Sequence, residues 1–165
     1  VVRGLASSPE EIEVNASSRV VEVRVPQEPG EVAEFGGCTL VRLPSYPDHR
    51  GVLAVAEQEL GLPFAAVRCF LVFGVPRDAH RGGHSLAVSN EVMIGVSGSI
   101  TLDVDNGQTC WRVVLNDPTL AVHVPAGVWS EQHSFSNDAV LMVLASSAFD
   151  PDEFDSVRPG TDAHG

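Results

Sequence analysis

The sequence predicts an all-β domain built as an antiparallel barrel, closed or nearly closed. Three observations carry that expectation. From Cys38 onward the apolar residues recur with a period of two. The apolar runs are short, and turn-forming residues separate them every 8 to 12 positions or so. Finally, 15 Gly and 11 Pro punctuate a chain of 165 residues that is 44% hydrophobic, which is too interrupted for a helical bundle and too apolar for a disordered segment. At this length one domain with its own core is expected.

Residues 1–37 read as an acidic, partly flexible N-terminal extension. Within it, Ser8-Pro9-Glu10-Glu11 has the cap and the first-turn Pro of a short helix, Arg19–Val25 reads as one strand, and Pro26–Gly37 reads as a linker. The barrel domain follows over 38–158, with 159–165 as a flexible tail. Its strands are expected at Cys38–Leu43, Gly51–Ala56, Val67–Gly74, His84–Val88, Glu91–Val96, Ser99–Asp105, Thr109–Leu115, Leu120–Val124, Val128–Gln132 and Ala139–Ala145. Pro44–Asp48 reads as a turn. Ile100, Leu102 and Val104 alternate with Thr101, Asp103 and Asp105, so that strand is expected to bury one face and wet the other. Asn106-Gly107 is the strongest hairpin signal in the chain. Asp150-Pro151-Asp152-Glu153 closes the domain as a short capped helix.

Composition excludes several function classes. All 10 basic residues are Arg, against 22 acidic residues, for a net charge of -12. Without Lys there is no Schiff-base chemistry, no pyridoxal phosphate anchor and no P-loop lysine. Nucleic acid is not an expected partner, because neutralising a phosphate backbone takes clustered positive charge. Cys38, Cys69 and Cys110 are odd in number and lack Cys-x-x-Cys spacing, so buried, reduced thiols are expected rather than a disulfide framework or zinc ribbon. No apolar run reaches the length of a membrane span, and no basic leader precedes one, so a cytoplasmic protein with no membrane partner is expected.

Two motifs carry the chemistry. His84-Ser85-Leu86 followed by Glu91 and Gly98 has the spacing His-x-His-x4-Glu-x6-Gly, with Leu86 in place of the second His. Pro125-Ala126-Gly127-Val128-Trp129-Ser130 has the spacing Pro-x-Gly-x-x-His, with Ser130 in place of the His. The pair resembles the two cupin motifs, which implies a cupin-type antiparallel jelly-roll barrel with a short C-terminal helix. In metal-binding cupins these positions hold a divalent ion with three imidazoles and a carboxylate. Here only His84 and Glu91 remain, fewer than the three or four ligands of a catalytic site, so no metal and no other cofactor is expected.

A closer resemblance spans residues 38 to about 158. Asp48-His49-Arg50-Gly51, Leu62-Pro63-Phe64 with Arg68, Arg81-Gly82-Gly83-His84, Ser97-Gly98-Ser99, Asp105-Asn106-Gly107, Val124–Trp129, Glu131 with His133, and Met142–Ser146 resemble, in order, the sugar 3,4-ketoisomerases. That family interconverts dTDP-4-keto-6-deoxyglucose and its 3-keto isomers, and commonly forms homodimers. The resemblance implies a small-molecule substrate of that kind and an isomerase. This chain departs from the family at Leu86, where the family has the imidazole expected to act as base, at Phe70-Leu71, usually two Tyr, and at Ser130, usually His. Tyr46 is the one Tyr in the chain.

Moving a ketone from C4 to C3 requires a base near neutrality and a donor or cation for the oxyanion. The catalytic candidates are therefore His84, His133 and Arg81. The substrate-binding candidates are Arg68, Glu91, Phe70, Leu86, Trp129 and Ser130, with Arg68 and Arg81 suited to a diphosphate or an oxyanion. Each has a purely structural reading: a core histidine for His84, surface ion pairs for the two arginines, core packing for Trp129. His49, His80, His123 and His164 are expected to play no part. Two alternatives stay open. The more apolar lumen left by Leu86, Phe70 and Leu71 would suit an isomerase or cyclase acting on a greasier carbonyl compound of natural-product biosynthesis, and a non-catalytic ligand-binding barrel would tolerate the same losses.

Overall fold

The computed structural model describes residues 11–12, 19–59 and 61–161. In chain order the strands are β1 (Glu11–Ile12), β2 (Arg19–Glu22), β3 (Val32–Phe35), β4 (Cys38–Arg42), β5 (Ser45–Asp48), β6 (Gly51–Ala54), β7 (Glu57–Gln58) and β8 (Gly61–Leu62). They continue with β9 (Arg68–Phe73), β10 (Arg81–Leu86), β11 (Glu91–Ser97), β12 (Ile100–Asp105), β13 (Thr109–Leu115), β14 (Leu120–Val124), β15 (Trp129–His133), β16 (Val140–Ala145) and β17 (Phe154–Asp155). The one helical element among the described residues is a 3-10 turn at Pro151–Glu153, capped by the Asp150 side chain on the Asp152 N–H. Among the described residues, no helix is long and apolar enough to cross a membrane.

Two sheets form the barrel. One runs β1-β2-β13-β12-β15-β10-β17 and the other β3-β4-β14-β11-β16-β9. All these neighbours pair antiparallel except β2 with β13, which are parallel. The main core lies between the sheets, where Leu40, Met93, Val122, Leu141 and Val143 of one meet Ile100, Leu102, Val104, Val113 and Leu115 of the other. Each such side chain contributes roughly 1.5–3 kcal/mol on leaving water, so the lumen is apolar by default and its polar groups stand out.

A smaller core explains why β11 and β16 read as continuous apolar runs. Val92 and Ile94 point away from the lumen, yet they are buried with Ala121 beneath Leu43 and Leu62, because the 43–64 segment crosses that outer face. Both faces of the central strands are thus dry, as in any strand covered on two sides.

Four expectations are corrected. Val32–Phe35 lies in the sequence read as a linker, but it pairs with β4 and edges the six-stranded sheet. The presumed turn at 44–48 is the first strand of a hairpin, β5 with β6, which turns at His49-Arg50 instead. Asp103 and Asp105 are buried, not wet. Arg112 and Arg158 lie over them as ion-pair partners at 2.7 Å each, so the outer face of β12 is roofed by guanidinium groups rather than by water. The C-terminal helix is a single 3-10 turn, too short for an α-helix before β17 resumes the sheet. Of the expected N-terminal helix, residues 8–10 lie outside the described residues and Glu11 falls in β1; residues 162–165 of the expected tail lie outside them also.

Candidate active site

The lumen opens into a cavity of about 380 Å³ between β9, β10, β11 and the C-terminal turn. Strand alternation puts Arg68, Phe70 and Val72 of β9 on its wall, while Cys69, Leu71 and Phe73 face out. On β10 simple alternation would send Arg81 and His84 to opposite faces. A bulge between Gly82 and His84 prevents this, with Gly82 at φ +70° and Gly83 at φ +71° absorbing the extra residue. Arg81 and His84 both line the cavity as a result.

A carbon branch at Gly82 would also meet the Ser130 carbonyl at 2.9 Å, so the first glycine of the pair is required twice over. The Gly-Gly pair is the device that aims the site.

His84 is half-buried, with the Phe154 ring edge-on at 4.8 Å. Burial pushes its pKa below the usual imidazole value, only partly offset by the negative charge of Glu153, so the ring is neutral at physiological pH. Its Nδ1 is buried without a hydrogen-bond partner. Arg68 lies 3.9 Å from Glu91 and is sandwiched between the Phe70 and Phe149 rings, with its guanidinium carbon 5.2 and 5.6 Å from their centres. Its Nε too is buried and unpartnered. Burial raises the pKa of Glu91 to about 6, against the pull of Arg68 and with the push of Glu153.

Beneath the cavity a pocket of about 10 Å³ is shared by His84 and Glu91 with Leu86 and Ser130. Leu86 and Ser130 are therefore close to the imidazole, at the floor. Of the four cupin ligand positions, only two carry a ligating side chain, and among the described residues no three His, Cys, Asp or Glu converge to hold a metal ion. The residues do not fit a cupin metal.

Two candidates lie elsewhere. On β15, Ser130 and Gln132 face inward, so Trp129, Glu131 and His133 face the other way. His133 donates its Nε2–H to the Asp103 carboxylate at 3.1 Å and stacks on His80 at 5.4 Å. Trp129 is buried under the Arg158 guanidinium, 4.7 Å from its ring. Tyr46 is exposed on β5, far along the chain's outer hairpin. The lining also includes Met93, Gln132, Phe149 and Phe154, which were not singled out in the sequence. Gln132 was within reach, since it shares Ser130's face; the two Phe come from a C-terminal return that no local pattern announces. A second cavity, of about 330 Å³, lies outside the six-stranded sheet against Arg42, Leu62 and His123, and holds none of the candidates.

The family described as FdtA: WxcM-like, C-terminal, matches residues 36–158. The chain belongs to this family. A curated relative, TDP-4-oxo-6-deoxy-alpha-D-glucose-3,4-oxoisomerase of Aneurinibacillus thermoaerophilus, is 32% identical over 107 residues, covering 65% of this chain and 77% of its own. Among solved structures, the sugar 3,4-ketoisomerase QdtA of Thermoanaerobacterium thermosaccharolyticum, in complex with TDP, superposes with a TM-score of 0.70 at 28% identity, over 73% of this chain and 88% of its own. WlaRB, a TDP-quinovose 3,4-ketoisomerase of Campylobacter jejuni, gives 0.70 at 28% identity, over 74% and 95%. This chain shares its cupin-type jelly roll with these two solved structures. The cavity of this chain is lined by His84, Arg68 and Arg81, with Leu86 at its floor.

Proposed function

We propose that the protein is a 3,4-ketoisomerase of a TDP-linked 4-keto-6-deoxy sugar. The observation that carries this reading is the convergence of one unpartnered, neutral imidazole and two arginines on a single cavity, in a chain of the FdtA-like family. The family relatives named for this activity lend the substrate class.

The chemistry follows from placement. His84, uncharged and with a free ring nitrogen, takes the proton from the carbon next to the ketone and returns it to the neighbouring carbon. Arg68, held inside by two aromatic rings, meets the oxyanion that develops on the sugar. Arg81, exposed at the rim, is placed for the diphosphate, whose charge a guanidinium can bind in bidentate fashion. The Phe70, Phe149 and Phe154 rings shield the reacting carbons from water, which strengthens each of these interactions.

The test is conversion of TDP-4-keto-6-deoxyglucose to its 3-keto isomer, followed by NMR. The native protein should convert it, and His84→Asn, which keeps a polar amide at the position but no base, should lose about 10²-fold or more in kcat. Conversion by the variant at the native rate would remove His84 from the role.

We also propose that two copies of the chain associate. The edge strand β9 leaves Leu71 and Phe73 more than half exposed on its outer face, with Val67 beside them, an apolar edge of the kind a second copy covers.

A further inference from the structure

The ketone transposition moves two protons, not one. One passes between carbons and the other between oxygens, yet the cavity holds a single imidazole. Resting on the ketoisomerase reading, we propose that Glu91 is the second acid–base residue of the reaction, carrying the oxygen-bound proton while His84 carries the carbon-bound one.

The steps balance. His84 removes the proton at C3 as protonated Glu91 donates to the C4 oxygen. The C3–H bond and the C4 carbonyl are exchanged for a C3–C4 double bond and a C4 hydroxyl. Glu91, now a carboxylate, then takes the proton of the C3 hydroxyl while protonated His84 delivers its proton to C4. The C3 carbonyl forms, the double bond is lost, and both residues return to their starting states. No electron acceptor or further reactant is needed.

Three observations support the assignment. Apart from the arginines, His84 and Glu91 are the only titratable side chains on the cavity wall among the described residues, and they also share the pocket beneath it. His133 and Tyr46, which would otherwise compete for the role, are turned to other surfaces, and Gln132 has no proton to exchange near neutrality. Glu91 is also held in place: it opens β11, with its neighbours Val124 on β14 and Ala145 on β16 adding no charge. The charged and titratable groups facing it are Arg68 from β9, His84 and Arg81 from β10, and Glu153 from the 3-10 turn.

A carboxylate that merely tethered Arg68 would be ionised well below neutrality. Burial and Glu153 together outweigh Arg68 and bring the group to about 6, where it can both give and take a proton.

Glu91→Gln tests the inference, since the amide still reaches Arg68 but carries no exchangeable acid. In the native protein kcat/KM should fall on the alkaline side of about pH 6, as Glu91 loses its proton, and on the acid side as His84 gains one. The variant should lose about 10²- to 10⁴-fold in kcat and lack the alkaline limb, with its melting temperature raised by TDP as much as the native protein's. Activity within about threefold of native, with the alkaline limb intact, would overturn the proposal and leave Glu91 as a tether. Should the variant not fold, the native profile decides: a rate that is level from pH 6 to 8 overturns the assignment. If the native protein converts no TDP-linked 4-keto sugar at any pH, the ketoisomerase reading fails, and the role of Glu91 falls with it.

Discussion

At the scale of single residues, polar groups in this barrel divide into those paired for stability and those left free for chemistry. Asp103 is of the first kind. Burial alone would raise its pKa, but the bidentate Arg112 contact at 2.7 Å and the His133 hydrogen bond outweigh it and hold the carboxyl below its usual range. A carboxylate with a depressed folded-state pKa contributes stability that is present above its unfolded pKa and is lost as pH falls through the folded one. Asp103→Asn should therefore lower unfolding free energy at pH 7 by about 2–3 kcal/mol, since it leaves Arg112 without its partner. In urea titrations the gap between native and variant should close as pH is brought below 4; a gap that stays constant would contradict the ion-pair account. His84 is of the second kind, with a buried Nδ1 that nothing in the fold satisfies. His84 and Glu91 were legible in the sequence from motif spacing, and Arg68 and Arg81 from the resemblance to the sugar 3,4-ketoisomerases. The face on which His133 lies was not legible: spacing says that it follows Trp129 by four, but not which face of β15 is inward. Ser130 settles that only once Leu86 and Glu91 are known to share its pocket.

At the scale of elements, the site depends on two local devices. The Gly82-Gly83 bulge was visible as a glycine pair before His84, although its effect of turning Arg81 to the same face was not. The C-terminal turn was visible as a capped Pro-containing tetrapeptide, but its role was hidden, because its contacts lie more than 60 residues back in the chain. Glu153 is buried and accepts hydrogen bonds from the Ser89 hydroxyl at 2.6 Å, the Ser89 N–H at 2.9 Å and the Val88 N–H at 3.3 Å. Its own carbonyl accepts from the Ala87 N–H at 2.9 Å. The turn is thereby fixed to the β10–β11 connection, and Phe154 is set against His84. Glu153→Ala should expose those donors at a cost of about 2–4 kcal/mol, and should speed amide exchange at Val88 and Ser89 before the rest of the barrel opens. Because the Phe154 ring would lose its seat, KM should rise more than kcat falls. Native-like exchange at those two amides would show that the turn is held by something else.

At the scale of the whole molecule, the barrel was legible from period-two hydrophobicity, and the segments that misled are those where tertiary cover overrides pattern. Val32–Phe35 has the Glu and Gly surroundings of a linker but finds an open edge at β4, and the aspartates of β12 are roofed by Arg112 and Arg158. The lack of Lys means that every positive side chain in the protein is a guanidinium or an imidazole. Three of those guanidinium groups stabilise acids of the shell (Arg42, Arg112, Arg158), while Arg68 and Arg81 face the cavity. Association of two copies is the prediction at this scale. Light scattering should give twice the 17.5 kDa chain mass, and Phe73→Glu on the β9 edge should return a monomer; a native monomer at micromolar concentration would exclude the pairing. When TDP-4-keto-6-deoxyglucose is incubated with the protein in deuterium oxide, a 3-keto product should form with deuterium at C4, delivered by a His84 ring that has exchanged with solvent, and no such product should form with His84→Asn. Recovery of the unchanged sugar, with no deuterium at C3 and no 3-keto isomer, would contradict it.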